Sequence, residues 1–137
     1  MLSEPWKTLN FNESDIQKIV ADSKNSFLLV TRDSEKLAGF ALFSEGFLKG
    51  CYLKILAVDS DYRGKGIGGQ LLREFEKISF KKSPNAYLCV SDFNKSAVGF
   101  YQKHGYEEIG TLTDFLVEGK GEIFLRKSIG SIASFEK

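Results

Sequence analysis

Between Ile55 and Leu72 the chain reads ILAVDSDYRGKGIGGQLL, and this stretch constrains the fold more than any other. An apolar run gives way to a charged, glycine-rich turn, which opens into apolar residues at helical spacing. Ile67, Leu71, Leu72, Phe75 and Ile78 share one helical face, and Arg73, Glu74, Glu76 and Lys77 lie off it. The spacing predicts strand, turn and helix in that order, with the helix over about 67–80. Gly64, Gly66, Gly68 and Gly69 have no side chains, so successive backbone N–H groups can approach a ligand closely. Those groups gather at a helix N-terminus, where the aligned peptide dipoles favour an anion. Arg63 and Lys65 add positive charge. The physics points to a phosphate or pyrophosphate; the alternative is a flexible turn with no ligand.

Two phosphate-binding patterns are weighed against this turn. In a Walker loop a hydroxyl residue follows the Gly-Lys pair, but here Gly66 follows Lys65, so the metal-binding hydroxyl is missing. The dinucleotide fingerprint GxGxxG is matched literally by Gly64, Gly66 and Gly69, and Asp92 stands near the distance expected of a ribose ligand. In that fingerprint the first glycine follows its strand almost at once, whereas DSDYR intervenes here. The chain is also short for a second nucleotide-binding half. A dinucleotide-binding domain stays open as the weaker alternative.

The rest of the chain supplies a mixed sheet. Residues 12–22 read as a short helix, with Ser14 able to cap it. Phe27–Thr31 and Leu37–Ser44 read as an antiparallel hairpin around the polar turn RDSEK, and Cys51–Val58 as a third strand. Pro84 stops the long helix. Ala86–Ser91 is a strand and Asn94–His104 a helix, with Asn94 at its N-cap and Gly105 at its stop. Tyr106–Thr111 and Glu122–Lys127 close the sheet, and residues 128–137 read as a loose tail. A strand–helix–strand unit should be parallel with a right-handed crossover. The 137 residues allow one domain, with a core of about 12–127.

Composition removes several function classes. There are 19 Lys plus Arg against 18 Asp plus Glu, a net charge of +1, which argues against affinity built on neutralising many phosphates of a nucleic acid. The longest apolar run, 37–43, is far short of the ~20 residues of a membrane span, and the N-terminus lacks the apolar segment of a secretory signal. Cys51 and Cys89 follow no metal spacing and His104 is alone, so no metal site is expected. Both cysteines lie in apolar runs and read as buried reduced thiols, consistent with a cytoplasmic protein.

Two motifs together carry a resemblance. LAVDSDYRGKGIGGQLL is similar to the acetyl-CoA motif of the GNAT superfamily of N-acetyltransferases, with Arg63, Gly66 and Gly68 at its defining positions. NKSAVGFYQKHGYEEIG resembles that superfamily's later helix and strand through Asn94, Ala97, Phe100, Tyr101, Lys103, Gly105 and Tyr106. The resemblance covers about residues 26–127, and GEIFLRKSI is similar to the closing strand.

The resemblance implies an α+β fold. Its sheet is mixed and mostly antiparallel, with a central parallel pair splayed for coenzyme A and helices flanking it. It implies acetyl-CoA as cosubstrate, with the pyrophosphate on Arg63, Gly64, Lys65, Gly66, Ile67, Gly68 and Gly69. The pantetheine arm would pair with the backbone of Leu56, Ala57 and Val58, where an N–H would polarise the thioester carbonyl. Asn94 would touch the pantetheine, or serve as an N-cap alone. Tyr101 would be the general acid that protonates the departing thiolate, or else a core tyrosine beside Phe100.

The acceptor implied is a primary amine of a small molecule or a peptide N-terminus. An alkylammonium near pKa 10.4 must lose a proton before it attacks, to a base or a water chain. The strand CYLKILAV carries no acid, with Lys54 where one would be sought, so Glu45, Asp92 and Asp114 stand as candidates beside a water chain. Residues 5–25, 45–50 and 112–121, with Trp6, Phe11, Phe47 and Phe115, are expected to shape an aromatic, acidic acceptor groove. The family's usual first strand and first helix are expected to be absent or replaced by residues 1–22. That would leave a hairpin edge without a neighbour, which predicts either a homodimer covering that edge or a truncated N-terminus. A non-catalytic acyl-CoA-binding module remains the second alternative.

Overall fold

A computed structural model describes residues 7–9, 14, 17, 18, 21 and 26–135. Its strands are β1 (Lys7–Leu9), β2 (Ser26–Asp33), β3 (Lys36–Ser44), β4 (Gly50–Asp59), β5 (Asn85–Ser91), β6 (Glu107–Thr113) and β7 (Gly121–Ser128). Its helices are α1 (Ile67–Lys82), α2 (Lys95–Lys103) and α3 (Ile132–Phe135), with a 3-10 turn at Ser60–Tyr62. The strand order is β2-β3-β4-β5-β7-β6, and β1 pairs separately with β4. Pairing is antiparallel except at β4–β5 and β1–β4. A sheet so largely antiparallel is not the doubly wound parallel sheet of a dinucleotide-binding domain, and that alternative falls.

The two long helices form where the periodicity placed them. α1 buries Leu71, Leu72 and Phe75 against Leu53, Leu56, Leu88 and Leu125 of the sheet, and α2 adds Ala97 and Tyr101 to the same core. The Asn94 side chain accepts from Ala97 N at 3.1 Å and caps α2. Gly105, at φ +96°, makes the left-handed stop beyond it. His104 is half-buried, with its ring 4.5 Å from that of Phe100 and its Nδ1 2.8 Å from the Phe100 carbonyl.

One expectation needs correction. The tail is not wholly loose, because Ile132–Phe135 make one helical turn. Residues 7–9 form a short strand within the segment expected to replace the usual first strand; it lies against β4, so among the described residues β2 stays a sheet edge with Phe27 and Val30 exposed. Ser14, Gln17, Lys18 and Ala21 are helical, in keeping with a helix over 12–22; the rest of that segment lies outside the described residues. Among the described residues no helix is long and apolar enough to cross a membrane.

Tyr52, Tyr101 and Tyr106 have hydroxyls pushed well above the usual range, chiefly by burial. In the unfolded chain each ionises near pH 10. Above that pH the unfolded chain therefore sheds protons that the folded chain keeps, and stability falls. The expected result is a melting temperature that drops steeply above about pH 10, with no contribution from these groups below pH 9. Circular dichroism melts across pH 7–11 would check it.

Candidate functional site

The site begins where two strands part. β4 and β5 pair in parallel only from Gly50↔Asn85 to Leu53↔Leu88. Beyond Leu53, β4 shifts register against β3 between Leu42 and Phe43, which leaves Lys54 unmatched as a bulge. The Lys54 side chain turns outward and donates to Ser26 Oγ at 2.8 Å. From Lys54 onward the β4 edge facing β5 has lost that partner. β3 holds the opposite edge as far as Val58, so β1 lies on the parted side, matching Lys7↔Ala57, Thr8↔Val58 and Leu9↔Asp59. Leu56, Ala57 and Val58 are all buried. The backbone assigned to a pantetheine arm therefore borders the gap, and its last part is shared with β1.

At the far end of β4 the chain makes its glycine turn. Asp59 Oδ1 accepts from Asp61 N at 2.9 Å and starts the 3-10 turn. Tyr62 donates to Asp33 Oδ2 at 2.9 Å, Lys36 pairs with Asp61, and the Lys36 and Lys65 ammonium groups stand 5.6 and 5.3 Å from the Tyr62 ring centre. The turn is thereby tied to the β2–β3 hairpin. Gly64 and Gly66 adopt φ of +70° and +78°, a region that only glycine enters without strain. A Cβ at either would meet no atom of the described residues within 4 Å, so among them the space beside the turn is open.

Gly66 is the N-cap of α1, and no side chain caps the helix. Among the described residues the first N–H groups of α1 therefore lack an intrahelical or side-chain capping partner at the helix end beside that space. Ile67, Gly68 and Gly69 already belong to the helix, so the cradle is a helix end rather than a pure loop.

Tyr101 lies under the sheet on the helix side. Its ring is buried between Phe100 and Tyr106, with centroids at 5.1 and 5.9 Å. Burial keeps its hydroxyl protonated well beyond the usual tyrosine range.

The three acids weighed as bases are all engaged elsewhere. Glu45 pairs with Lys82 near the start of β4, the end away from the glycine turn. Asp92 Oδ2 accepts from Gly121 N at 3.1 Å, and Asp114 Oδ1 from Gly119 N at 2.7 Å within the β6–β7 turn. The sequence reading missed Glu122, a buried carboxylate at the start of β7. It lies on the face of the sheet turned away from α1 and α2, as the register with β5 requires. On that face Phe47 packs against Tyr52, Tyr87 and Phe124 at 4.9, 5.3 and 6.0 Å. Phe115, Leu116 and Val117 are exposed at the β6–β7 turn. Trp6 and Phe11 lie outside the described residues. Among the described residues no cluster of metal-ligating side chains occurs, and both cysteines are free thiols.

A family model described as the acetyltransferase (GNAT) family matches residues 1–106. The chain belongs to this family. Among curated proteins it is similar to acetyltransferase ECA0875 of Pectobacterium atrosepticum, 28% identical over 113 residues, covering 82% of this chain and 77% of that one. It is also similar to the peptidyl-lysine N-acetyltransferase YjaB of Salmonella typhimurium, 28% identical over 103 residues, covering 74% of this chain and 65% of that one. Among solved structures, an aminoglycoside 6'-N-acetyltransferase complexed with coenzyme A superposes with a TM-score of 0.73 at 20% identity, over 88% of this chain and 83% of that one. GNAT membership accounts for the splayed β4–β5 pair and the glycine turn together, which a dinucleotide site does not.

Proposed function

We propose that this GNAT chain transfers the acetyl group of acetyl-CoA to a primary amine of a small molecule or a peptide N-terminus by direct attack. The observation that carries this reading is the parting of β4 from β5 after Leu53↔Leu88, with the uncapped N-terminus of α1 beyond it. The pyrophosphate sits on the N–H groups from Arg63 to Gly69, where the helix dipole and the Arg63 and Lys65 charges favour it. The pantetheine arm follows the backbone of Leu56, Ala57 and Val58 as an added strand. At Ala57 and Val58 it meets β1, which must give way for the arm to lie there. An N–H of β4 near the Lys54 bulge polarises the thioester carbonyl. Asn94 already caps α2, so its side-chain oxygen is committed and it contributes to the coenzyme site mainly by fixing that helix end. Tyr101 supplies the proton that the thiolate takes on leaving.

Thermal melts with acetyl-CoA, coenzyme A, NAD and ATP in parallel test the ligand. Acetyl-CoA and coenzyme A are expected to raise the melting temperature and NAD to leave it unchanged. Release of coenzyme A is then followed with lysine, spermidine, an aminoglycoside and short peptides bearing free N-termini. Stabilisation by NAD alone would refute the reading. Stabilisation by coenzyme A without acetylation of any amine would leave a binding module in its place.

A further inference from the structure

The proposed reaction needs a group that takes a proton from the ammonium, and β4 offers no carboxylate before Asp59 at its far end. Glu122 answers that need by its place in the sheet. It pairs with Ser91, the last residue of β5, on the strand segment that has parted from β4. The residue is only 8% exposed. Ser91 Oγ donates to its Oε2 at 2.7 Å, and among the described residues no other hydrogen bond reaches the carboxylate. No cation of the described residues pairs with it either, since Arg126 on the same strand donates to Asn85 Oδ1 at 2.9 Å and Lys54 is held by Ser26. A carboxylate drawn out of water without a cation is unfavourable unless a charged partner arrives.

The surroundings fit an ammonium. Tyr52 from β4 and Cys89 from β5 are neighbours on the same face. Burial raises both, and the negative charge of Glu122 adds to it. Asp92 lies just beyond, on Gly121 N. The stacked rings of Tyr87 and Phe124, 5.6 Å apart, continue the wall. Aromatic faces and a single free carboxylate attract a cation and orient it.

We propose that Glu122 binds the acceptor ammonium and is its proton acceptor, an assignment that rests on the acetyl transfer proposed above. The ammonium N–H bond breaks and an O–H bond forms on the Glu122 carboxylate. The nitrogen lone pair then attacks the thioester carbon. A C–N bond forms, the C–S bond breaks, and sulfur leaves with the electron pair. The second nitrogen proton ends on that sulfur, with the Tyr101 hydroxyl as carrier, and Glu122 returns its own proton to water. In water a carboxylate is a weak base for an ammonium. Removing both from water narrows the gap, because the neutral amine and carboxylic acid carry no charge to desolvate. Ser91 holds the carboxylate in place and is a positioning residue.

Glu122→Gln keeps the size and the acceptor for Ser91 while abolishing the base. With the best acceptor of the amine panel, its kcat at pH 7 is expected to fall about 100-fold, with the melting shift from coenzyme A unchanged. The loss should shrink as pH rises to 9.5, because the amine increasingly arrives already neutral. A merely structural role would give the same loss at every pH. Turnover within threefold of the unsubstituted chain, or a loss constant across pH, would overturn the assignment. If the Gln variant melts below assay temperature, Glu122→Asp carries the same test by withdrawing the carboxylate one methylene. An unsubstituted chain that acetylates no amine of the panel refutes the proposed function; an active chain whose Glu122→Gln variant is equally active refutes this inference alone.

Discussion

Tyr101→Phe should lower kcat about 100-fold while leaving the coenzyme A melting shift and the protein's own melting temperature nearly unchanged. The separation follows from how the side chain is held. The ring is packed between Phe100 and Tyr106 in the main core, and phenylalanine preserves that packing. Among the described residues the hydroxyl makes no hydrogen bond, so its removal strands no partner. What the substitution removes is a proton donor. Burial keeps that donor protonated at neutral pH. It also makes the phenol a weaker acid than in water, so transfer to sulfur depends on the departing thiolate being desolvated as well. A kcat unchanged in steady-state assays, with coenzyme binding intact, would remove Tyr101 from the mechanism and leave it a core residue.

Glu76→Ala should lower stability strongly. Glu76 lies in the middle of α1 and is 8% exposed. Tyr106 donates to its Oε2 at 3.0 Å, and Lys127 Nζ lies 3.0 Å from its Oε1. One carboxylate thus ties α1 to the residue preceding β6 and to β7. Removing it leaves a buried hydroxyl and a half-buried ammonium without their acceptor. Breaking such a pair from one side costs about 3 kcal/mol. For a chain of this size that corresponds to a fall in Tm of about 10 °C by calorimetry. Well below that Tm, kcat should match the unsubstituted chain, because Glu76 lies on the helix side of the sheet, away from the Glu122 face. Glu76→Gln keeps the size and one of the two acceptor oxygens and should lose less.

Much of this was legible in the sequence because the signals are local. The apolar stripe from Ile67 to Ile78 and the cap at Asn94 placed both long helices, and the glycines after Tyr62 placed the turn that opens α1. Glu122 was not legible. In GEIFLRK it reads as a polar residue opening a strand, and only the β5–β7 register sets it against Ser91 on the parted side of the sheet. Glu45, Asp92 and Asp114 were weighed for being acidic, but each is engaged by a partner that no local pattern reveals. β1 escaped for a similar reason, since a three-residue strand carries no periodicity and its partner strand lies far along the chain.

The short join between β4 and β5 has a mechanical consequence. Four backbone pairs, the α1 helix across them and the Phe47 contacts at one end hold two half-sheets together, one of β2-β3-β4 and the other of β5-β7-β6. Each half is internally zipped by antiparallel ladders along most of its length, so the seam is the compliant part. A cosubstrate lying in that seam would act as a splint. It would stiffen the spacing between Tyr101 below and Glu122 above, converting binding into alignment of the two groups on which proton transfer is proposed to depend.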